Sequence, residues 1–271
     1  MRIIDAHVHV LDRYMPMEPF EDAGRVDRLL HWMDDAGVEK AVMLPVVADF
    51  SPDNNAECGR WAREHADRLA TMTNVELAEA GAAEQIRRAR EEFGAVAISC
   101  YPKGADLAWM TEPEHEDIWS AFAETGLPAN LQVTPPAYGH VLEVARRHPG
   151  VTVVLNHFGL PKGAGVTPDD ESYGGLDQAA SLPNVFVKVS AYYASAETPW
   201  DFRCPVAIGY LYRLRQVLGA ERLMFGTDWP PASRFLTYRQ IVEIVRSEAT
   251  ELTDPEREAI LSGTAARVFG L

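Results

Sequence analysis

The chain has 271 residues, 47% hydrophobic and 24% charged, the composition of an ordinary globular protein long enough for one large α/β barrel or two smaller domains. Its formal net charge of −15 argues against nucleic acid and anionic membrane as partners, since both are polyanions, although a few local cations in a cleft would still hold an anionic substrate. Three scattered cysteines (Cys58, Cys100, Cys204) read as free thiols, and with neither a basic-then-apolar leader nor an apolar run of spanning length the expectation is a cytoplasmic protein.

The first element is IIDAHVHV, residues 3–10. Alternate side chains of a strand share a face, so Asp5, His7 and His9 are expected on one side and Ile4, Ala6, Val8 and Val10 on the other. VDRLLHWMDDAG follows with helical spacing and a stop at Gly37. Strand VEKAVMLPVV, helix NNAECGRWAREHADR, strand LATMTNVE, helix AAEQIRRAREEFG and strand AVAISCYP continue the alternation. Helix EPEHEDIWSAFAETG leads to strand LPANLQV, and GHVLEVARRHPG to VTVVLNHFG. The last third gives a short helix GLDQAASLP, strand VFVKVSAYY, helix PVAIGYLYRLRQVLG, strand RLMFGTD, helix FLTYRQIVEIVRSEA and a helical tail, DPEREAILSGTAARVFGL.

Eight strands each followed by helix, over about 250 residues, predict a single (β/α)8 TIM barrel with an additional C-terminal helix, one domain over 1–271. The rival is a doubly wound open sheet, weakened in its nucleotide-binding form by the lack of a Gly-rich phosphate loop. The long segments LDRYMPMEPFEDAG, FGLPKGAGVTPDDESYG and YYASAETPWDFRCP follow strand C-termini, which form the catalytic face of a barrel. The last of them is expected to line a pocket or to meet a partner chain in a homo-oligomer.

Polar residues at strand ends supply the candidate chemistry: His7 and His9 on strand 1, Gln132 on strand 5, His157 on strand 6, Lys188 and Ser190 on strand 7, and Asp228 after strand 8. In a closed barrel the first and last strands are neighbours, so Asp228 would face His7 and His9. Three imidazoles and a carboxylate suit one divalent ion, zinc or manganese, with Asp228 accepting a proton from water. Without a metal, the same carboxylate would activate water directly. Competing readings make Asp228 an Asx turn or a helix cap and Lys188 a snorkelling or paired lysine. His31, His65, His115, His140 and His148 fall on helices and read as surface or packing residues.

DAHVHV, VLNHFGLPKG, VKVSAYY, MFGTDWP and ILSGTAARVFGL occur in one order along almost the whole chain. Together they resemble the amidohydrolase superfamily, in its amidohydrolase-related (amidohydrolase 2) branch of lactonases and metal-dependent decarboxylases. The resemblance implies that His7 and His9 are the strand 1 metal pair, that His157 binds metal or polarises substrate, and that Asp228 is metal ligand and proton acceptor. Strand 4 lacks the carboxylated lysine of two-metal members, Lys103 lying beyond it. Strand 5 lacks the histidine typical of the decarboxylases, having Asn130 and Gln132.

The expectation is therefore a hydrolase of a lactone or carboxylic ester, with Asp228 as general base, helped by His157, at a one-metal or metal-free site. A metal-dependent decarboxylase is the alternative, and an inactive binding barrel the third reading. By position on or after strands, Lys188, Arg203 and Lys103 are candidate cations for a substrate carboxylate, while Tyr192, Tyr193 and Gln132 are candidate pocket residues.

Overall fold

A computed structural model of the chain describes residues 1–13, 20–104 and 106–271. Part of the segment LDRYMPMEPFEDAG therefore lies outside the described residues. The strands are β1 (Ile4–Val8), β2 (Lys40–Met43), β3 (Leu69–Asn74), β4 (Ala95–Cys100), β5 (Ala129–Leu131), β6 (Val153–Leu155), β7 (Val185–Val189) and β8 (Leu223–Phe225). They pair in parallel in sequence order from β1 to β8. The circle closes just past β8, where Val8 bridges Trp229, the His9 amide donates to the Trp229 carbonyl at 2.7 Å and the Asp228 amide to the His7 carbonyl at 2.9 Å. That closure excludes the open sheet, in which β1 and β8 are not neighbours.

Helices α1 (Val26–Ala36), α2 (Asn54–Glu64), α3 (Ala82–Phe93), α4 (Glu116–Thr125) and α5 (Tyr138–Arg147) follow the first five strands. Helix α1 shows why these segments are helical: Leu29, Met33 and Ala36 recur on one face and are buried, and Gly37 at φ 74° ends the helix in the left-handed conformation that glycine adopts without penalty. A 3₁₀ helix over Tyr173–Ser181 takes the place of an α-helix between β6 and β7, with Gly174 and Gly175 at positive φ inside it. The expected strand VFVKVSAYY stops at Val189, because Ala191 turns to φ 53° and starts the short helix α6 (Tyr192–Ser195). Helices α7 (Pro205–Leu218), α8 (Tyr238–Glu243), α9 (Asp254–Glu258) and α10 (Thr264–Phe269) complete the chain. Among the described residues no helix is long and apolar enough to cross a membrane.

Two apolar layers follow from strand alternation. Val185, Val187 and Val189 belong to the outer layer between sheet and helices, while Phe186 joins Ile4, Ala6, Val42, Met72, Val154 and Met224 inside the barrel. Ala265 and Phe269 of α10 join the inner set, so the C-terminal helix plugs the end of the barrel remote from the strand C-termini.

Strand β1 departs from simple alternation. Asp5 pairs with Ala41 but Val8 with Met43, so β1 carries one residue more than β2 over that interval. This bulge re-aims the residues beyond it. Ile4 and Ala6 point into the barrel, whereas Val8 and Val10 sit in the outer layer. His7 and His9 therefore turn inward, and Asp5 does not share their face. The Asp5 carboxylate instead accepts from the Thr227 amide (2.9 Å) and hydroxyl (2.6 Å) and from the Tyr238 hydroxyl of α8 (2.8 Å). It joins β1 to the β8 loop and sets the floor on which the two histidines stand.

Candidate active site

His7, His9, His157 and Asp228 meet at the C-terminal mouth of the barrel. The Asp228 Oδ1 atom lies 3.4 Å from Nε2 of His7, 3.4 Å from Nε2 of His9 and 3.9 Å from Nε2 of His157. The Nε2 atoms of His7 and His9 are 3.3 Å apart. All four side chains are buried.

Hydrogen bonds orient the donors. Nδ1 of His9 donates to the Leu44 carbonyl at 2.8 Å, which leaves the lone pair of the neutral ring on Nε2, facing the cluster. Nδ1 of His157 pairs with the Ser190 hydroxyl at 2.9 Å, and the same hydroxyl accepts the His157 amide at 3.3 Å. The Tyr193 hydroxyl donates to Oδ2 of Asp228 at 2.7 Å, leaving Oδ1 for the imidazoles.

The loops carrying this set are held in uncommon conformations. His157 (φ 53°) and Asp228 (φ 62°) both occupy the left-handed region that non-glycine residues rarely adopt. After His157, the Tyr138 hydroxyl donates to the Gly159 carbonyl at 2.6 Å and that of Tyr173 to the Phe158 carbonyl at 3.0 Å. Gly226 has a steric role. A Cβ there would lie 2.7 Å from Cβ of His7 and 3.1 Å from Cβ of Ser190, so only hydrogen lets β1 and β7 bring these groups together around β8.

Burial pushes the His7 imidazole well below its ordinary range, and the His157 and Lys188 charges act in the same direction. Burial likewise lowers His157 to about 4, against the pull of Asp228. Burial alone would raise the Asp228 carboxyl, but His157, His9 and Tyr193 outweigh it and hold the group below the usual carboxylate range. At neutral pH the His7 and His157 imidazoles are therefore neutral beside an ionised Asp228 carboxylate.

That set fits a divalent metal. Ligands bound at 2.0–2.1 Å in a tetrahedron lie about 3.3–3.4 Å from one another, and the triangle of His7 Nε2, His9 Nε2 and Asp228 Oδ1 has sides of 3.3, 3.4 and 3.4 Å. These three residues form a metal-capable group among the described residues. His157 stands next to it, on the same oxygen.

The remaining expected residues divide. Gln132 follows β5 and is half-buried, its amide bonded to the Cys100 carbonyl at 3.0 Å. Lys188 sits inside the barrel beneath the cluster, wholly buried, 5.8 Å from the Phe269 ring and, among the described residues, with no hydrogen-bond partner for Nζ. Burial pushes its amine well below the ordinary range despite Asp5 and Asp228. Arg203 is exposed before α7, with its amide on Asp201, and Lys103 is exposed after β4, 3.7 Å from Glu76. Tyr192 packs edge-on against Phe158 in the outer layer, so Tyr193, not Tyr192, meets the Asp228 carboxylate. The turn at Ala191 inverts the alternation that a continued strand would give.

Sequence reasoning missed Tyr101. It follows β4, its phenol is pushed up to about 12 by burial with Asp228 contributing, and it lines a cleft of about 510 Å³ over the ends of β2, β3 and β4. Its position straight after a strand was the available signal. A belt of inward polar groups beneath the site was also missed: Ser99 faces Tyr101, Asn156 faces His7, and the Asn130 amide is buried without a hydrogen-bond partner among the described residues.

Comparison with known proteins agrees with this architecture. The family model described as Amidohydrolase matches residues 4–271. An L-fucono-1,5-lactonase of Burkholderia multivorans is 33% identical over 137 residues, 46% of this chain and 45% of that protein, so the match spans a little under half the relative's length. In structure, the chain is similar to an amidohydrolase from Burkholderia multivorans with bound Zn (TM-score 0.75, 21% identity, all of both chains). It is also similar to a probable 2-pyrone-4,6-dicarboxylic acid hydrolase from Acinetobacter baumannii with citric acid bound (TM-score 0.78, 19% identity, all of both chains).

Proposed function

The chain belongs to the amidohydrolase family, and on that premise we propose that it hydrolyses a lactone by attack of water on the ring carbonyl. The observation that carries this reading is the convergence of three imidazole Nε2 atoms on one oxygen of a buried, ionised carboxylate. The names of the relatives, a fuconolactonase and a pyrone-dicarboxylate hydrolase, support it, since both describe opening of a cyclic ester.

His7, His9 and Asp228 would hold one divalent ion, zinc or manganese. Bound there, such an ion supplies Lewis acidity and a lowered water pKa. Asp228 accepts the proton of the attacking water on Oδ1, while Tyr193 fixes the carboxylate through Oδ2. His157, neutral and held by Ser190, presents Nε2 to the substrate oxygen and is positioned to polarise the carbonyl. Ser190 and Leu44 keep the rings from rotating, so little reorganisation is left for the reaction itself.

Asp228→Asn tests the assignment. The variant keeps shape but loses the proton acceptor, and lactone turnover should fall by about three to four orders of magnitude with the fold intact. Turnover within tenfold of the wild type would remove Asp228 from this role.

A further inference from the structure

Resting on the lactonase reading, the cleft over β2–β4 gives that reading a substrate class. The cleft holds about 510 Å³, within the range of about 300–1,000 Å³ of small-molecule sites. It opens at the same C-terminal mouth as the catalytic cluster: Val46 and Val47, which line it, follow Leu44, whose carbonyl accepts from His9 at 2.8 Å, and Asn74 and Tyr101 stand at the C-terminal ends of β3 and β4. Its walls are built. The Asn55 side chain accepts the Asn74 amide at 2.8 Å and donates to the Asn74 carbonyl at 3.0 Å, and Asn74 Nδ2 donates to the Ser99 carbonyl at 3.1 Å. The Asn74 side chain is thus fixed at the cleft wall with its carbonyl oxygen left to accept.

The charge of this cleft decides what it favours. Asp49, Glu76 and Glu79 supply three carboxylates against the single ammonium of Lys103, a formal balance of −2, and Lys103 already lies 3.7 Å from Glu76. A substrate bearing two carboxylates would meet repulsion here, and the chain as a whole, at −15, adds to it. An uncharged substrate rich in hydroxyls meets the opposite: carboxylates and an amide oxygen to accept from its O–H groups, and Lys103 and the Tyr101 phenol to donate to its oxygens.

We propose that this cleft is the subsite for the hydroxyl-bearing part of a neutral polyhydroxylated lactone, with Asn74, Glu76, Tyr101 and Lys103 as its specificity-determining residues. The ester carbonyl of such a substrate lies toward Asp228 and its ring hydroxyls toward β2–β4.

The test uses the metal-loaded full-length protein and two probe pairs. Calorimetry compares a polyhydroxylated δ-lactam, which mimics the lactone but resists hydrolysis, with unsubstituted δ-valerolactam. Kinetics compares a neutral sugar 1,5-lactone with unsubstituted δ-valerolactone and with 2-pyrone-4,6-dicarboxylate. The hydroxylated lactam is expected to bind at least tenfold tighter than the bare one. Glu76→Gln, which replaces a charged acceptor by a neutral amide, and Tyr101→Phe, which removes a hydroxyl, should each weaken that binding about five- to tenfold, and should lower kcat/KM more for the sugar lactone than for δ-valerolactone. The sugar lactone should exceed the dianionic pyrone in kcat/KM by at least a hundredfold.

Equal binding of the two lactams, equal losses on bare and hydroxylated lactones in both variants, or preference for the dianion would overturn the subsite. These outcomes are separable from failure of the lactonase reading. If no lactone is hydrolysed but the hydroxylated lactam still binds in a Glu76-dependent way, the reaction is misassigned and the subsite stands.

Discussion

Gly226→Ala introduces one methyl group at the place where β1, β7 and β8 are closest. The new Cβ would lie 2.7 Å from Cβ of His7, 3.1 Å from Cβ of Ser190 and 3.2 Å from the His7 amide nitrogen. Carbon atoms in ordinary contact are about 3.5–4.0 Å apart, so the closest approach is too short by about 1 Å. Gly226 lies outside the positive-φ region, and alanine therefore adds crowding without backbone strain. Relief requires β1 or β7 to move, and overpacking of this kind costs about 1–3 kcal/mol, or about 2–10 °C in Tm. The same movement displaces His7 from Asp228 and Ser190 from His157, so zinc affinity should fall about 10- to 100-fold. Urea unfolding of metal-free protein reads the first effect, and competition with a chromophoric chelator reads the second. A wild-type unfolding midpoint together with wild-type zinc affinity would refute the claim that hydrogen at position 226 sets the site's geometry.

Three further outcomes follow from the same contacts. Tyr193→Phe removes the 2.7 Å bond to Oδ2 of Asp228 and should lower kcat/KM for a lactone about tenfold; an unchanged value would show that the carboxylate needs no such support. Asp5→Asn places an amide N–H₂ among groups that all donate (the amides of His7 and Thr227 and the hydroxyls of Thr227 and Tyr238) and should destabilise the protein by about 2–4 kcal/mol, read by thermal or urea unfolding. Lys188→Met replaces an unpartnered buried amine by an apolar chain of similar length, so Tm should hold or rise and KM should not move. A sharp rise in KM would instead make Lys188 a substrate contact.

Alternation of apolar strands and amphipathic helices is a short-range pattern, and for that reason the barrel was legible from β1 to β8. The helix ending at Gly37 could be placed to within a residue because it contains its own period and its own stop, whereas the strand expected over VFVKVSAYY ran four residues past its end at Val189. Closure was legible only by inference, since no local pattern says that Trp229 will bond to His9. The same reason explains the misplaced faces. The β1 bulge and the left-handed turns at Ala191 and Asp228 are single-residue changes forced by distant partners, and each one flips every side chain after it. Asp5 was thereby assigned the wrong face, and Tyr192 and Tyr193 could not be told apart. The four residues His7, His9, His157 and Asp228 were readable because their chemistry is conspicuous at strand ends. Tyr101 and Asn74 were not, because an aromatic or an amide at a strand end is ordinary until a cleft forms around it.

The central claim is that His7, His9 and Asp228 form one metal centre that serves lactone hydrolysis. Elemental analysis of protein purified without chelator, paired with lactone turnover before and after chelation, tests it most directly. The account predicts about one zinc or manganese per chain, a loss of both metal and turnover in His9→Asn, and recovery of wild-type turnover when the ion is returned. Full turnover in protein stripped to less than about a tenth of an ion per chain would contradict it.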